Sequence, residues 1–453
     1  MKDDTQELTD LAEQLVQAAL KRGASVAEVS ARSGWELSTK VRLGEPELVE
    51  EAGHRGVSMK VLRDQRVALS ATSDLSPAGL ERLVSDAIAL LDLSQPDAAE
   101  GPADPALLAR PPYPDLDLYD PAVERIDAAA AIERACQAER VALAYDERLT
   151  LSEGATFART TGARALVLSN GFVGTSRGSY ASLVVSPVAK DEGGKNRRGF
   201  YWTARRHLED LEDTDFVGEE AARRTLRQLG PRKVETCEAP VIFDADAARS
   251  IIGTFAGCIT GGAIWRKSSY LTERRGTAVA SPLVNLIDDP LLPRAPGSRA
   301  FDGEGMPSRR SQVVKGGQLE TFLLDWYSAR KLGLESTASA SRSGASVGAS
   351  TSNFILEAGE LPREELIQRT QRGLYVTEMM GFGFNPITGD FSRGAAGYWI
   401  ENGELTFPVS EITISSDLDS MLKGIDLIAS DLELKSSIAS PTFRVASMTI
   451  SGT

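Results

Sequence analysis

Histidine is almost missing from this chain: 453 residues carry only His54 and His207. Neither sits in HExxH, HxH or another spacing that brings two imidazoles to one metal. His54, in EAGHRGV, reads as a strand-edge or turn residue, and His207, in RRHLEDLED, as a solvated one. Cysteine is nearly as scarce. Cys136, Cys237 and Cys258 are odd in number and form no CxxC pair, which excludes a disulfide framework and points to a reducing, cytoplasmic compartment. No apolar run approaches the roughly 18 residues of a bilayer span. The opening MKDDTQELTD is acidic and polar, unlike the basic-then-apolar start of a signal peptide. Basic residues are in the minority, 50 against 64 acidic, for a net charge of −14. That balance excludes nucleic acid as the expected partner, because phosphate binding needs a basic face. Arg197, Arg198, Arg205 and Arg206 are a local exception, read as a mixed solvated loop beside Asp210 and Glu212.

What is present is an ordinary globular balance, with 42% apolar and 25% charged residues and length for two to three domains. Residues 5–22 have leucines at helical spacing and stop at Gly23. Residues 25–72 alternate like strands, and Ser76-Pro77 opens a helix to about residue 92. A Pro-, Asp- and Ala-rich stretch at 94–121 reads as an ordered linker or surface strap. An Ala-rich helix follows at 122–144. Three to four strands are expected between Leu149 and Val188, with SNGF (169–172) as a hairpin turn, and a helix at 214–229. Gly230-Pro231 divides the chain into residues 1–235 and 236–453. The second part opens with the strand APVIFD and a helix placing Ile251, Ile252, Phe255, Cys258 and Ile259 on one face. Beyond residue 280 it reads as strands with short helices near 326–332, 362–372 and 417–429.

Several groups invite a chemical reading. Asp288, Asp289, Asp302 and Glu304 gather in LIDDPLLPRAPGSRAFDGEG, either as an acid–base or cation site or as turn formers in a long loop. Lys267 and Ser268 suggest a nucleophile pair, but they are neighbours, and neighbours point apart. Cys258 lies on an apolar stripe and reads as a core thiol. Asp390 and Arg393, in NPITGDFSRGAAGYWIENGEL, read as a local ion pair fixing a loop, with Tyr398 and Trp399 in the strand that follows.

APVIFD, GGAIWRKSSYL, DDPLLPRAPGSRAFDGEG, LLDWYSARKLG, NPITGDFSRGAAGYWIENGE, MLKGIDLIASDLE and SPTFRVASMTISG together resemble successive blocks of the TldD/PmbA family, in its PmbA (TldE) branch. The resemblance is densest from 239 to 453. It implies an α+β fold, with an α+β N-terminal region and a mainly antiparallel β C-terminal domain. It also implies a zinc metalloprotease built from two related subunits that cleaves unfolded peptides, including a microcin precursor and an antitoxin. In the TldD branch HExxxH lies on the helix after the PVIFD-like strand. Here that region reads RSIIGTFAGCITGGAIWRKSSYL, with neither His nor Glu. The resemblance therefore implies a subunit with no catalytic or metal residues of its own and zinc in a TldD-type partner. Asp302, Glu304, Asp390, Arg393, Tyr398 and Trp399 are its candidate substrate or interface residues. An extended peptide is expected to add as a strand to an open edge of the β domain. A self-associating hydrolase using Asp302 and Glu304 or Lys267 and Ser268, and a peptide-binding scaffold, remain the alternatives.

Overall fold

The computed structural model describes residues 4–452. The N-terminal half is built on one sheet in the order β3-β2-β1-β4-β5-β6, with β7 also on β5. Its strands are β1 (Val26–Arg42), β2 (Glu45–Arg63), β3 (Arg66–Thr72), β4 (Leu151–Leu168), β5 (Phe172–Lys190), β6 (Asn196–Arg198) and β7 (Tyr201–Arg205). Where three to four strands were expected, 149–188 holds two long ones. Gly162 and Gly178 lie inside a continuous ladder rather than ending it. The SNGF turn does form, and Gly171 takes a φ of 101°, which costs glycine little.

The helices are α1 (Asp4–Lys21), α2 (Pro77–Leu91), α3 (Pro121–Glu124), α4 (Ala128–Ala144) and α5 (Thr214–Leu226). All four longer helices pack on one face of the sheet, because strand side chains alternate. Leu8, Leu15 and Val16 of α1 and Leu83 and Val84 of α2 meet Val29, Ala31, Met59 and Val167. Ala135 and Ala138 of α4 and Val217 of α5 meet Leu37, Phe157, Leu183 and Val185. Each fully buried Leu or Val contributes about 1.5–3 kcal/mol. Ser76 caps α2 by accepting from the Gly79 N–H at 3.2 Å.

The second half begins with β8 (Cys237–Phe243) and α6 (Ala245–Cys258). β8 lies between Arg372–Met380 and Phe443–Ser451 in a sheet that continues through Asp390–Glu401 to Glu404–Asp417. Glu404–Asp417 pairs back onto Phe443–Ser451, so these five strands close on themselves. α6 packs between this sheet and a smaller one containing Leu286–Asp288 and Phe354–Leu356, in a single apolar core. The fold is α+β, with mainly antiparallel sheets.

The helix-free face of the first sheet is covered by the second half. Leu166, Leu168 and Phe172 pack with Phe301, Met306 and Ala338. The Tyr180 hydroxyl donates to the Lys435 carbonyl at 2.9 Å. The 94–121 segment straps the halves together. Asp97 accepts from Tyr327 and Lys331, both at 2.9 Å, while Arg330 donates to the carbonyls of Ala98 and Glu100.

Candidate functional site

α6 starts at Asp244, whose carboxylate accepts from the Ala247 N–H at 2.9 Å. Ile251, Ile252, Phe255 and Cys258 are buried as the apolar spacing predicts. The outward face carries Arg249, Ser250, Gly253, Thr254 and Gly257. The Arg249 guanidinium lies 5.4 Å from the Trp202 ring centroid and donates to Ser436. Ser250 accepts from Arg393 at 3.0 Å. Thr254 donates to the Ser250 carbonyl. A hydrolytic zinc needs about three protein ligands and one open position. This face offers hydroxyls and a guanidinium, and Cys258 is buried with its thiol pushed up to about 11 by desolvation. Among the described residues, no three His, Cys, Asp or Glu side chains converge as a metal site. The donors on this helix do not fit a hydrolytic zinc of the kind the resemblance implies for the TldD branch.

The candidates in the 385–405 segment separate. Asp390 and Arg393 form no ion pair, because residues three apart on a strand face opposite ways. Asp390 accepts instead from Thr388, and Arg393 reaches α6. Tyr398 is half-buried in a small cluster with Tyr375 and Ile400. Trp399, a candidate substrate or interface residue, is 4% exposed, inside the main core. Its neighbour Tyr398 faces the other side of the sheet, and only one of two adjacent strand residues can face this core.

The acidic loop is buried and structural. Asp302 accepts from the backbone N–H groups of Glu304, Met306 and Ala340 at 2.9–3.1 Å. Glu304 accepts from the Trp326 N–H at 2.7 Å. Burial, then Asp302 and Asp325, hold the Glu304 carboxyl well above the carboxylate range. Asp288 accepts from the Ser352 N–H, and Asp289 forms the turn to Leu291. Ser268 bonds to the Ala263 carbonyl, not to Lys267. His54 is exposed on β2, whose outer edge is unpaired before Val57. His207 is buried rather than solvated, with Nε2 2.9 Å from the Asp117 carbonyl oxygen. Arg206 is likewise not in a free loop: it donates to the Ala295 and Pro296 carbonyls.

Sequence reasoning missed the charges between the two halves. Glu28 of β1 faces Lys60 of β2 across the ladder and accepts from Arg342 of the second half. Lys60 also pairs with Glu100 of the strap at 3.1 Å. The signal was the alternation in VAEVSARSG. Its polar positions look solvent-facing until a second layer covers them.

The closed C-terminal sheet, the helix after β8 and the sheet-and-helix N-terminal layer define a two-part α+β protein whose helix after β8 presents, among the described residues, no set of metal ligands. Residues 27–91, 121–229 and 236–452 match, in order, domain 1, the central domain and the C-terminal domain of the PmbA/TldA metallopeptidases. The chain belongs to the PmbA/TldD metallopeptidase family. It is 38% identical to the metalloprotease PmbA of Escherichia coli O157:H7, over 95% of this chain and 92% of that one. A Bacteroides thetaiotaomicron protein described as a candidate modulator of DNA gyrase superposes with a TM-score of 0.93 at 28% identity, covering 100% of each chain. TldE from Thermococcus kodakarensis shares the fold, with a TM-score of 0.86 at 20% identity, covering 98% of this chain and 100% of that one.

Proposed function

We propose that this chain is the non-catalytic subunit of a two-chain TldD/TldE-type zinc peptidase acting on unfolded peptides in the cytoplasm. The observation that carries this reading is the outward face of α6. The catalytic branch carries imidazoles and a carboxylate on the helix after the corresponding strand, whereas the outward face of α6 here carries Arg249, Ser250 and Thr254, all engaged in local contacts. Zinc and the water it activates would belong to the partner. This chain would supply shape and binding surface.

The segment 381–389 fits a subunit contact. Phe382 is 97% exposed and Ile387 62% exposed, on a loop tied down by Asn385, which accepts from the Ile387 N–H and donates its own N–H to the Asp390 carbonyl. Apolar side chains held outward on an ordered loop are what a partner surface buries. The Asp302 and Glu304 carboxylates, by contrast, accept from backbone N–H groups of this chain. Co-expression with a TldD-type chain tests the reading. A stable mixed complex should cleave unfolded peptide while this chain alone does not. Turnover by this chain alone would overturn it.

A further inference from the structure

A cavity of about 820 Å³ lies between the helix-free face of the first sheet and the loops around Arg299 and Arg342. That is within the usual range of about 300–1,000 Å³ for ligand sites. Its floor is bare backbone. Gly34 of β1, Gly162 of β4 and Gly178 of β5 are successive partners across three strands. With strands about 4.8 Å apart, this glycine row forms a trough about 10 Å long running across the sheet. The His54 ring lies over one end, 2.7 Å from where a Gly34 side chain would begin, and the Arg206 guanidinium lies over the other, 3.1 Å from where a Gly178 side chain would begin, so the open floor centres on Gly162. Strand glycines mark bends or close backbone approaches. A bend alone would account for the glycines but not for their neighbours.

The row beside the trough is Arg32 opposite Arg164, with Ser176 next to them on β5. Like charges directly opposite on a sheet are destabilising. Among the described residues, neither arginine has an ion pair or a side-chain hydrogen bond. Arg299, on the facing loop, has none either, and its Nε is buried without a partner. Other arginines here are committed: Arg342 to Glu28 and the Gly303 carbonyl, Arg206 to three carbonyls. Arg299 feels the buried Asp302 and Asp288 carboxylates without an ion pair or hydrogen bond to either, and Asp302 itself accepts from backbone N–H groups. Asp117 pairs with Arg294 and His207, which leaves Arg32 and Arg164 as the guanidiniums here with no carboxylate partner among the described residues. Asp115 accepts from the Asp117 N–H. Partial desolvation in the cleft, then Arg32 and Arg342, depress the Arg164 guanidinium below the ordinary arginine value, although the residue still reaches solvent. In a chain of net charge −14, this is a local excess of unpaired positive charge facing a cavity.

We propose that this cleft binds a carboxylate-rich stretch of extended polypeptide, with Arg32, Arg164 and Arg299 taking its carboxylates. Planar guanidinium forks match carboxylate oxygens two at a time. The glycine floor admits a main chain, and the Thr160 and Tyr180 side chains border its other side. The proposal rests on the preceding reading only in taking a polypeptide as the guest. The site itself lies wholly in this chain.

The test is fluorescence anisotropy on the full-length chain with a labelled, unstructured Glu/Gly peptide, a matched Gln/Gly peptide and inorganic phosphate as competitor. The Glu peptide should bind, the Gln peptide should bind at least about tenfold more weakly, and added salt should weaken the complex. Arg164→Gln and Arg299→Gln, on opposite walls, should each lower affinity about tenfold or more. Arg164→Gln should also melt no earlier than the parent, since a repulsion is removed. Equal binding of both peptides, or unchanged affinity in both variants, overturns the proposal. So does phosphate that binds through Arg164 while the Glu peptide fails to displace it. Loss of peptide binding with assembly on a TldD-type chain intact sinks this proposal alone. Peptide binding without assembly sinks the subunit reading alone.

Discussion

Glu28 on the first strand accepts a hydrogen bond from the guanidinium of Arg342, 314 residues further along the chain. Both side chains are almost fully buried, at 7% and 4% exposed. Burial by itself would raise the Glu28 carboxyl, but Arg342 and Lys60 outweigh it and hold it below the usual value. The pair joins the sheet of the first half to the second.

Arg342→Met should therefore destabilise the protein by about 3–5 kcal/mol, because Glu28 loses its closest partner while remaining buried. Urea unfolding at neutral pH measures this. The sign with pH follows from the depressed carboxyl. Its contribution is present above the unfolded value, about 4.3, and is lost as pH falls through the lower folded value. The gap between parent and variant should narrow in acid.

Glu304→Gln should do the opposite. The native carboxyl is raised well above its ordinary value, chiefly by burial, so the native state holds its proton more tightly than the unfolded chain. Stability then falls as pH rises from about 4.3 towards the raised native value. Glutamine keeps an acceptor for the Trp326 N–H and carries no charge. Melting scans from about pH 4 to about pH 8 should show little difference at the acid end and a growing advantage for the variant as pH rises. A variant that loses stability across that range would contradict the assignment.

Cys258 should be inert. Its thiol is buried on α6 and pushed up to about 11, first by desolvation. A thiol reagent at about pH 8 should leave Cys258 unlabelled until the chain unfolds, while the half-buried Cys136 and Cys237 are modified first. Mass spectrometry of digests distinguishes the three. Rapid labelling of Cys258 in the native chain would show an open α6 site.

Much of the architecture could be read from residue order, and for one reason: local periodicity survives in the sequence. The stripe Ile251, Ile252, Phe255, Cys258 is the buried face of α6, and Ser76-Pro77 does start α2. The resemblance to a family placed these elements in the right fold. What periodicity cannot say is which layer covers a polar strand face. Glu28 looks like a solvent position, and the long-range covering by the second half made it a buried ion pair, whereas Arg32, further along the same strand, remains exposed. Trp399 and Tyr398 show the same limit on a smaller scale, since adjacent strand residues face opposite ways and sequence does not say which side is core. His207 was misjudged because its acidic neighbours suggested solvent, whereas it packs against the strap at Asp117.

Phe382→Ser should separate assembly from folding. The side chain is 97% exposed, so the substitution should change stability by no more than about 0.5 kcal/mol. If the loop contacts a partner, losing a buried phenyl should weaken assembly by about 1.5–3 kcal/mol, roughly ten- to a hundredfold. Analytical ultracentrifugation of the mixed chains reads this directly. Unchanged affinity would move the contact elsewhere.

The proposed division of labour between two chains rests on which of them can hold the hydrolytic metal. Elemental analysis of this chain purified alone, beside the same chain purified with a TldD-type subunit, measures that directly. The account predicts far less than one zinc per chain in the first sample, and about one zinc per TldD-type chain, with peptidase activity, in the second. One zinc per chain and peptide cleavage in the first sample would contradict it.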